Sequence, residues 1–417
     1  MIVLKFARVL TKSVFYIILA LDIAVFSMIA YLNVTVSNNY KIKKGDPLTF
    51  DAFVPITAVY EGSKLSGSER TDSISDEFKV ELKAFGMIPF STVSVEVVDE
   101  LNVAVLGTPF GMKLYTEGVL VIDMTDVKTE NGNVNPAKDA GIQIGDYIVS
   151  VDGRKISTNE ELGAAVEASA GNEMKLEIKR GGKTKIIRFC AVLSKETNSY
   201  KVGLWVRDSS AGIGTLTFYS PATGVVCGLG HGVCDEDTEE LLKLDSGELV
   251  TAEIISVEKG SSGSPGQLKG KFTYSSIGAI DLNSECGVFS LLKGRLNLSN
   301  LTEIALKQEV KDGDAQLLCT VNGESPKLFS CSIKKKNSAY LSPTKNLIVT
   351  VTDKELLNLT GGIVQGMSGS PILQNGKLVG AVTHVLIDDP TSGYGIFAEN
   401  MLKTAQSVEE QSLKEAS

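Results

Sequence analysis

Apolar and polar residues follow three rhythms along this chain. Val14 to Leu32, VFYIILALDIAVFSMIAYL, is almost continuously apolar. As a helix, that run would span roughly 28 Å, close to the hydrocarbon thickness of a bilayer. Beyond it the rhythm shortens to two. KVELKAFGMIPFSTVSVEVV, Lys79 to Val98, alternates on both sides of Gly86 and reads as a hairpin. PFGMKLYTEGVLVIDM, Pro109 to Met124, predicts two short strands. NPAKDAGIQIGDYIVSVDGRKI, Asn135 to Ile156, predicts a short helical turn and then an apolar strand ending in Asp-Gly. Helical spacing appears in NEELGAAVEAS, where Leu162, Ala165, Val166 and Ser169 share one face and Asn159 is the candidate cap. EMKLEIKRGGKTKIIRF, Glu173 to Phe189, is a hairpin turning at Gly181-Gly182. Short strands return after Tyr200, and the polar end SVEEQSLKEAS is expected to fray. The fold class is mainly β behind one apolar helix.

Composition narrows the function classes. Hydrophobic residues make up 43% of the 417 positions and charged residues 22%, as in globular protein. The net charge is −9 with no clustered basic face, which argues against a nucleic-acid partner. Lys5, Arg8 and Lys12 precede the apolar run, and the next basic residue is Lys41. The positive-inside rule then leaves the amino terminus cytoplasmic and the remainder translocated, on an uncleaved signal anchor. Asp22 weakens that anchor, since a carboxylate at mid-span costs about 2.5–3.5 kcal/mol. The six cysteines form no CxxC pair, so no zinc site is expected, and buried thiols are expected over a Cys227–Cys234 disulfide. No metal and no cofactor is expected. The pattern divides the chain into an anchor (1–34), a small β module (35–100), a third block (101–195) and a fourth (196–417).

The third block resembles a bacterial PDZ domain, most specifically in AGIQIGDYIVSVDG. The resemblance implies a loop that receives a peptide carboxylate or an added strand. By position that loop is Phe110, Gly111 and Met112.

The fourth block nearly repeats itself. SGSP occurs at Ser262–Pro265 and at Ser368–Pro371, followed by Gly-Lys-apolar, then Gly-Ala-apolar, at similar offsets. Two similar β-barrels in tandem are the expectation. A serine nucleophile needs a base, and only His231 and His384 exist. His231 lies between glycines in CGLGHGV, and His384 in the strand pattern KLVGAVTHV. The second copy, Gly366-Met367-Ser368-Gly369-Ser370-Pro371, looks like the nucleophile loop of chymotrypsin-like proteases. That resemblance makes Ser368 the nucleophile, the N–H groups of Gly366 and Ser368 the oxyanion hole, and Thr383 and His384 the wall of the substrate pocket. His231 is left as base. Asp235 and Asp237, close to His231 in sequence, are expected to face solvent, and Asp353 is the other candidate acid.

GHGVCDEDT, SVEKGSSGSPGQL, VTDKELLNLTGGIVQGMSGSPILQNGKLVGAVTHV and the PDZ block together resemble the stage IV sporulation protein B family. These are S55 signalling serine peptidases of endospore-forming bacteria. The resemblance implies a triad of His231, Asp353 and Ser368 on a chymotrypsin-like double barrel. It also implies self-cleavage, and cleavage of an extracytoplasmic regulator of a membrane-embedded metalloprotease. The setting is the space between forespore and mother-cell membranes, and the outcome is pro-sigma-K processing. The PDZ domain would govern self-recognition and docking. Two other readings fit less well: a PDZ-containing envelope quality-control protease, which usually carries its PDZ after the protease, and a catalytically dead binding protein.

Overall fold

A computed structural model describes residues 2–36, 39–44, 46–50, 52–60, 63–64, 77–235, 237–292, 294, 300–323, 325–336 and 343–415. Helix α1 (Ile2–Thr35) contains the apolar run, and its Lys12–Thr35 stretch, mean hydropathy 2.2, is long and apolar enough to cross a membrane. The chain divides into two compact units, Met1–Leu101 and Asn102–Ser417.

Beyond α1, the first unit holds β1 (Asn39–Lys43), β2 (Ile56–Tyr60), β3 (Ser63–Lys64), β4 (Glu77–Ala84) and β5 (Ile88–Val98), in the sheet order β1-β5-β4-β2-β3. Period-two patterning explains it. Phe78, Val80, Leu82 and Ala84 of EFKVELKA are all buried, and Val93 and Val95 of β5 meet them in the core.

The second unit opens with β6 (Asn102–Val105) and the long β7 (Pro109–Met124). The expected two short strands are one. Gly118 takes φ +84, and a Cβ there would stand 2.4 Å from the Ile148 carbonyl, so the glycine makes a kink in a continuous strand and not a chain reversal. A hairpin of β8 (Val127–Thr129) and β9 (Gly132–Val134) leads to α2 (Pro136–Asp139), β10 (Tyr147–Val151) and β11 (Arg154–Lys155). Helix α3 (Asn159–Ala168) is capped by Thr158 in a reciprocal box with Glu161, one residue before the expected cap. Thr158 wins because Glu161 stands at the third helical position and can close the box. Leu162 and Val166 of α3 are buried against Val119, Val121 and Ile148. β12 (Glu173–Arg180) and β13 (Lys183–Cys190) form the expected hairpin.

The short β14 (Val192–Leu193) and β15 (Tyr200–Lys201) lead into β16 (Leu204–Ser220). Then come β17 (Val225–Gly228), β18 (Leu244–Glu258), β19 (Gln267–Ala279), β20 (Leu282–Ser284), β21 (Gly287–Leu291) and β22 (Thr302–Glu303). These form a half-barrel whose sheet runs on into the PDZ strands in the order β13-β12-β10-β7-β16-β17-β21-β20. A closed antiparallel barrel follows, ordered β23-β24-β25-β28-β27-β26. Its strands are β23 (Gly313–Cys319), β24 (Lys327–Lys335), β25 (Leu347–Val351), β26 (Pro371–Gln374), β27 (Lys377–Val385) and β28 (Ser392–Phe397). Helix α4 (Lys354–Thr360) joins β25 to the loop that carries Ser368. Helix α5 (Ala398–Glu415) ends the described chain, and Met401, Ala405 and Val408 are buried on one of its faces. That apolar stripe holds the polar end in a helix where fraying was expected.

The two SGSP copies are not structural equivalents. Gly376 sits in the turn between β26 and β27, with φ +78. Its counterpart Gly270 lies inside β19, paired with Ile254, and the strand runs on through Phe272. The repeat is one of glycine-rich spelling, not of fold. All six cysteines are free thiols, with Cys227, Cys319 and Cys331 buried.

Candidate active site

The loop from Gly361 to Ser370 is held between the two barrel halves. Thr215 of β16 donates its N–H to the Ser368 carbonyl at 2.9 Å and its hydroxyl to the Gly366 carbonyl at 2.9 Å. Thr217 donates its hydroxyl to the Gly369 carbonyl at 2.8 Å. From the closed barrel, the Gly369 N–H reaches the Val382 carbonyl of β27 at 2.8 Å. Gly369 has φ +93, and a Cβ there would lie 1.9 Å from the Thr215 carbonyl oxygen, so only glycine lets the loop approach β16 this closely. Met367, fully buried, pins the loop from below. The N–H groups of Gly366 and Ser368 have no hydrogen-bond partner among the described residues. Both are available to an oxyanion.

Ser368 is partly exposed, and its Oγ donates to the Thr383 carbonyl at 2.7 Å. His231 follows β17, where Leu229 and Gly230 take φ +67 and +68 and turn the chain toward β27 and β28. A Cβ on Gly230 would meet Ile396 and Thr383 side chains at 2.9 and 3.1 Å. The turn lays the His231 ring 4.6 Å from that of His384, tilted 35°. His231 Nδ1 is 2.8 Å from the Gly232 carbonyl. With the proton on Nδ1, that bond fixes the tautomer whose Nε2 is a lone-pair acceptor.

Burial lowers the pKa of His231, with the Gly232 carbonyl opposing. Burial, then the neighbouring His231 and Lys345, push His384 down to about 4. His384 Nδ1 is buried without a hydrogen-bond partner. At neutral pH the site therefore holds neutral imidazoles, the form a general base requires.

The structure lays His231 beside His384 and Ser368 on the Thr383 carbonyl, and no hydrogen bond joins Ser368 to His231 among the described residues. It does not join Asp353 to the imidazole. Asp353 caps α4, and its carboxylate accepts the N–H groups of Glu355 (2.9 Å), Leu356 (3.1 Å) and Ser330 (3.2 Å). The Leu356 N–H, helped by those of Ser330 and Glu355 and by Lys327, holds the carboxyl below its ordinary range against the opposing effect of burial. Asp235 is buried, not solvent-facing as expected. It pairs with Arg207 and accepts the N–H groups of Asp237 and Thr238. Burial favours its neutral form but is outweighed by those N–H groups and Arg207, so its pKa is lowered. Asp237 also pairs with Arg207, at 2.8 Å.

Thr383 is buried and donates to the Thr344 carbonyl at 3.0 Å. Ser262, of the first SGSP, donates to the Asp388 carbonyl at 2.9 Å. Its loop braces the Ser368 loop, with Gly260 N–H on the Thr360 carbonyl and Gln365 N–H on the Gly266 carbonyl.

The expected carboxylate-binding loop is corrected. Phe110, Gly111 and Met112 lie within β7, paired with Gly214, Ile213 and Gly212 of β16 on one side and with Thr251, Val250 and Leu249 of β18 on the other. Phe110 and Met112 are buried, and a Cβ on Gly111 would meet the Phe272 ring at 2.5 Å. No strand edge is open there.

Sequence reasoning missed Thr215, Thr217 and the Gly232 carbonyl. The spelling GTLTFYS puts both threonines on one face of a strand, a usable signal once the strand's neighbour is known.

Residues 198–402 match the family described as SpoIVB peptidase S55, and residues 93–188 match the PDZ domain family. A putative zinc metalloprotease of Clostridium perfringens is 33% identical over 70 residues, which cover 17% of this chain and 21% of that protein. The chain thus spans about a fifth of that relative's length. Among solved structures, the PDZ domain of the SdrC-like protein from Listeria monocytogenes is 23% identical. It covers 22% of this chain and 87% of that one, with a TM-score of 0.18. The active form of the Rv3671c protease from M. tuberculosis is 16% identical over 48% of this chain and 74% of that one, with a TM-score of 0.27.

Proposed function

We propose that this chain, whose residues 198–402 match the SpoIVB peptidase S55 family and residues 93–188 the PDZ domain family, is a sporulation signalling endopeptidase. In this reading it cleaves itself and the extracytoplasmic part of a regulator of a membrane-embedded metalloprotease, and pro-sigma-K processing follows. Helix α1 holds it at the membrane, facing the space between forespore and mother cell. The observation that carries the reading is a serine in a doubly braced loop, with two unpartnered N–H groups in that loop and a half-buried histidine pair alongside.

The chemistry proceeds from these groups. The Ser368 hydroxyl leaves the Thr383 carbonyl by rotation about its Cα–Cβ bond and gives its proton to Nε2 of His231. Gly232, accepting from Nδ1–H, stabilises the imidazolium that forms. Oγ attacks the scissile carbonyl carbon, and the oxyanion takes the N–H groups of Gly366 and Ser368. Each such donor contributes roughly 10²–10³-fold in rate. His231 then protonates the leaving amine, and water, deprotonated by the same ring, hydrolyses the acyl-enzyme. The wall from Val382 to Val385, with Thr383 and His384, carries the acyl side of the substrate. Asp353, the third member of the triad implied by the family, acts by fixing the start of α4, the helix that feeds the nucleophile loop.

Self-cleavage of the full chain in detergent is the test. Ser368→Ala abolishes it, and Ser262→Ala, which loses only a brace to Asp388, retains it. Retention with Ser368→Ala would overturn the reading.

A further inference from the structure

β16 is paired on one edge along its length, with β7 from Leu204 to Thr215 and with β6 at Phe218 and Tyr219. On its other edge, β17 begins only at Leu216. From Ser209 to Thr215 the pairing with β7 is regular, so peptide groups alternate in direction. The alternation is fixed at Thr215, whose N–H goes to Ser368 and whose carbonyl takes the Leu229 N–H, both away from β7. Ile213, Ala211 and Ser209 therefore point their N–H and C=O groups the same way. Those groups have no hydrogen-bond partner among the described residues. This edge lacks the usual guards, since Ser209–Ile213 contains no charge and no proline, and Ser209 and Ala211 are exposed. At its far end the Asp208 carboxylate accepts the Asn159 N–H at the start of α3, in the PDZ part, at 2.8 Å.

We infer that this edge seats the leaving-group half of a protein substrate. An extended segment of about six residues, carboxyl-terminal to the scissile bond, adds as a strand along Ser209–Ile213 and ends at α3. The occupant follows from continuity. Ser368 lies between Thr383 of β27 and Thr215 of β16. A chain whose acyl half follows β27 has its other half delivered to β16, one residue pair from the first open peptide group. The PDZ part thus meets substrate through a strand edge shared with the peptidase, not through Phe110–Met112. This inference rests on the serine-peptidase reading.

The test uses the full chain in detergent, with fluorescein-labelled β-casein as an unfolded substrate and a fluorophosphonate to count reactive Ser368. Ala211→Pro removes an edge N–H without touching a bond to β7. Casein cleavage per fluorophosphonate-reactive enzyme falls about tenfold, the loss of one hydrogen bond plus a steric block. An unchanged ratio overturns the edge and leaves the peptidase standing. A wild type that fluorophosphonate does not label overturns both. Should the proline variant not fold, hydrogen exchange in Ser368→Ala decides. Peptides covering Ser209–Ile213 exchange fast alone and slow with excess casein, and absence of that protection overturns the proposal.

Discussion

At the residue scale, the two imidazoles set the pH behaviour. In the proposed mechanism a neutral His231 is the active form, and burial holds its pKa below the ordinary 6.5. The acid limb of kcat/KM therefore has its midpoint below pH 6.5, with most of the activity present at pH 7. A midpoint above 6.5 would show that another group limits the rate. Stability moves in the same direction. A histidine whose folded pKa is depressed binds its proton more readily when unfolded, so stability rises with pH between the folded and unfolded values. For His384 that window runs from about 4 to about 6.5. The melting temperature falls as pH drops through it, and His384→Gln removes part of the fall. An equal fall in wild type and variant would contradict the burial argument.

Elements decide what Asp353 does. As the cap of α4 it takes three N–H groups, and a cap deletion costs about 1 kcal/mol. Asp353→Asn keeps an acceptor oxygen, so it retains most self-cleavage and melts close to wild type. Asp353→Ala melts several degrees lower and is less active. Asp353→Asn as inactive as Ser368→Ala would instead make the carboxylate a direct partner of His231 in the reacting state. The sequence spelled out much of this level. Alternation located β4, β5, β12 and β13, and helical spacing located α3. Glycines around Ser368 marked a loop that needs positive φ, as Gly366 and Gly369 show. Other features were illegible for a physical reason. PFGMKLYTEGVLVIDM carries a strand rhythm but no record of its partners, and Gly118 suits a reversal as well as a kink. Pairing of β7 with β16 and β18 is decided by residues about a hundred positions away. The same blindness made Phe110–Met112 look like an open loop, and made two SGSP spellings look like two equivalent strands.

On the scale of the whole molecule, the second unit is organised around β16. One strand meets helix α3 through Asp208 and clamps the Gly366–Gly369 loop through Thr215 and Thr217 near its end. The segments matched to the PDZ and peptidase families are thereby joined through a common sheet. The proposed mechanism rests on one atom, the Oγ of Ser368, with His231 as its base. Mapping the site of fluorophosphonate attachment in the full chain by tandem mass spectrometry tests that most directly. The account predicts one adduct, on Ser368, formed at least a hundredfold more slowly in His231→Ala. An adduct on Ser262 or Ser370, or labelling indifferent to His231→Ala, would contradict it.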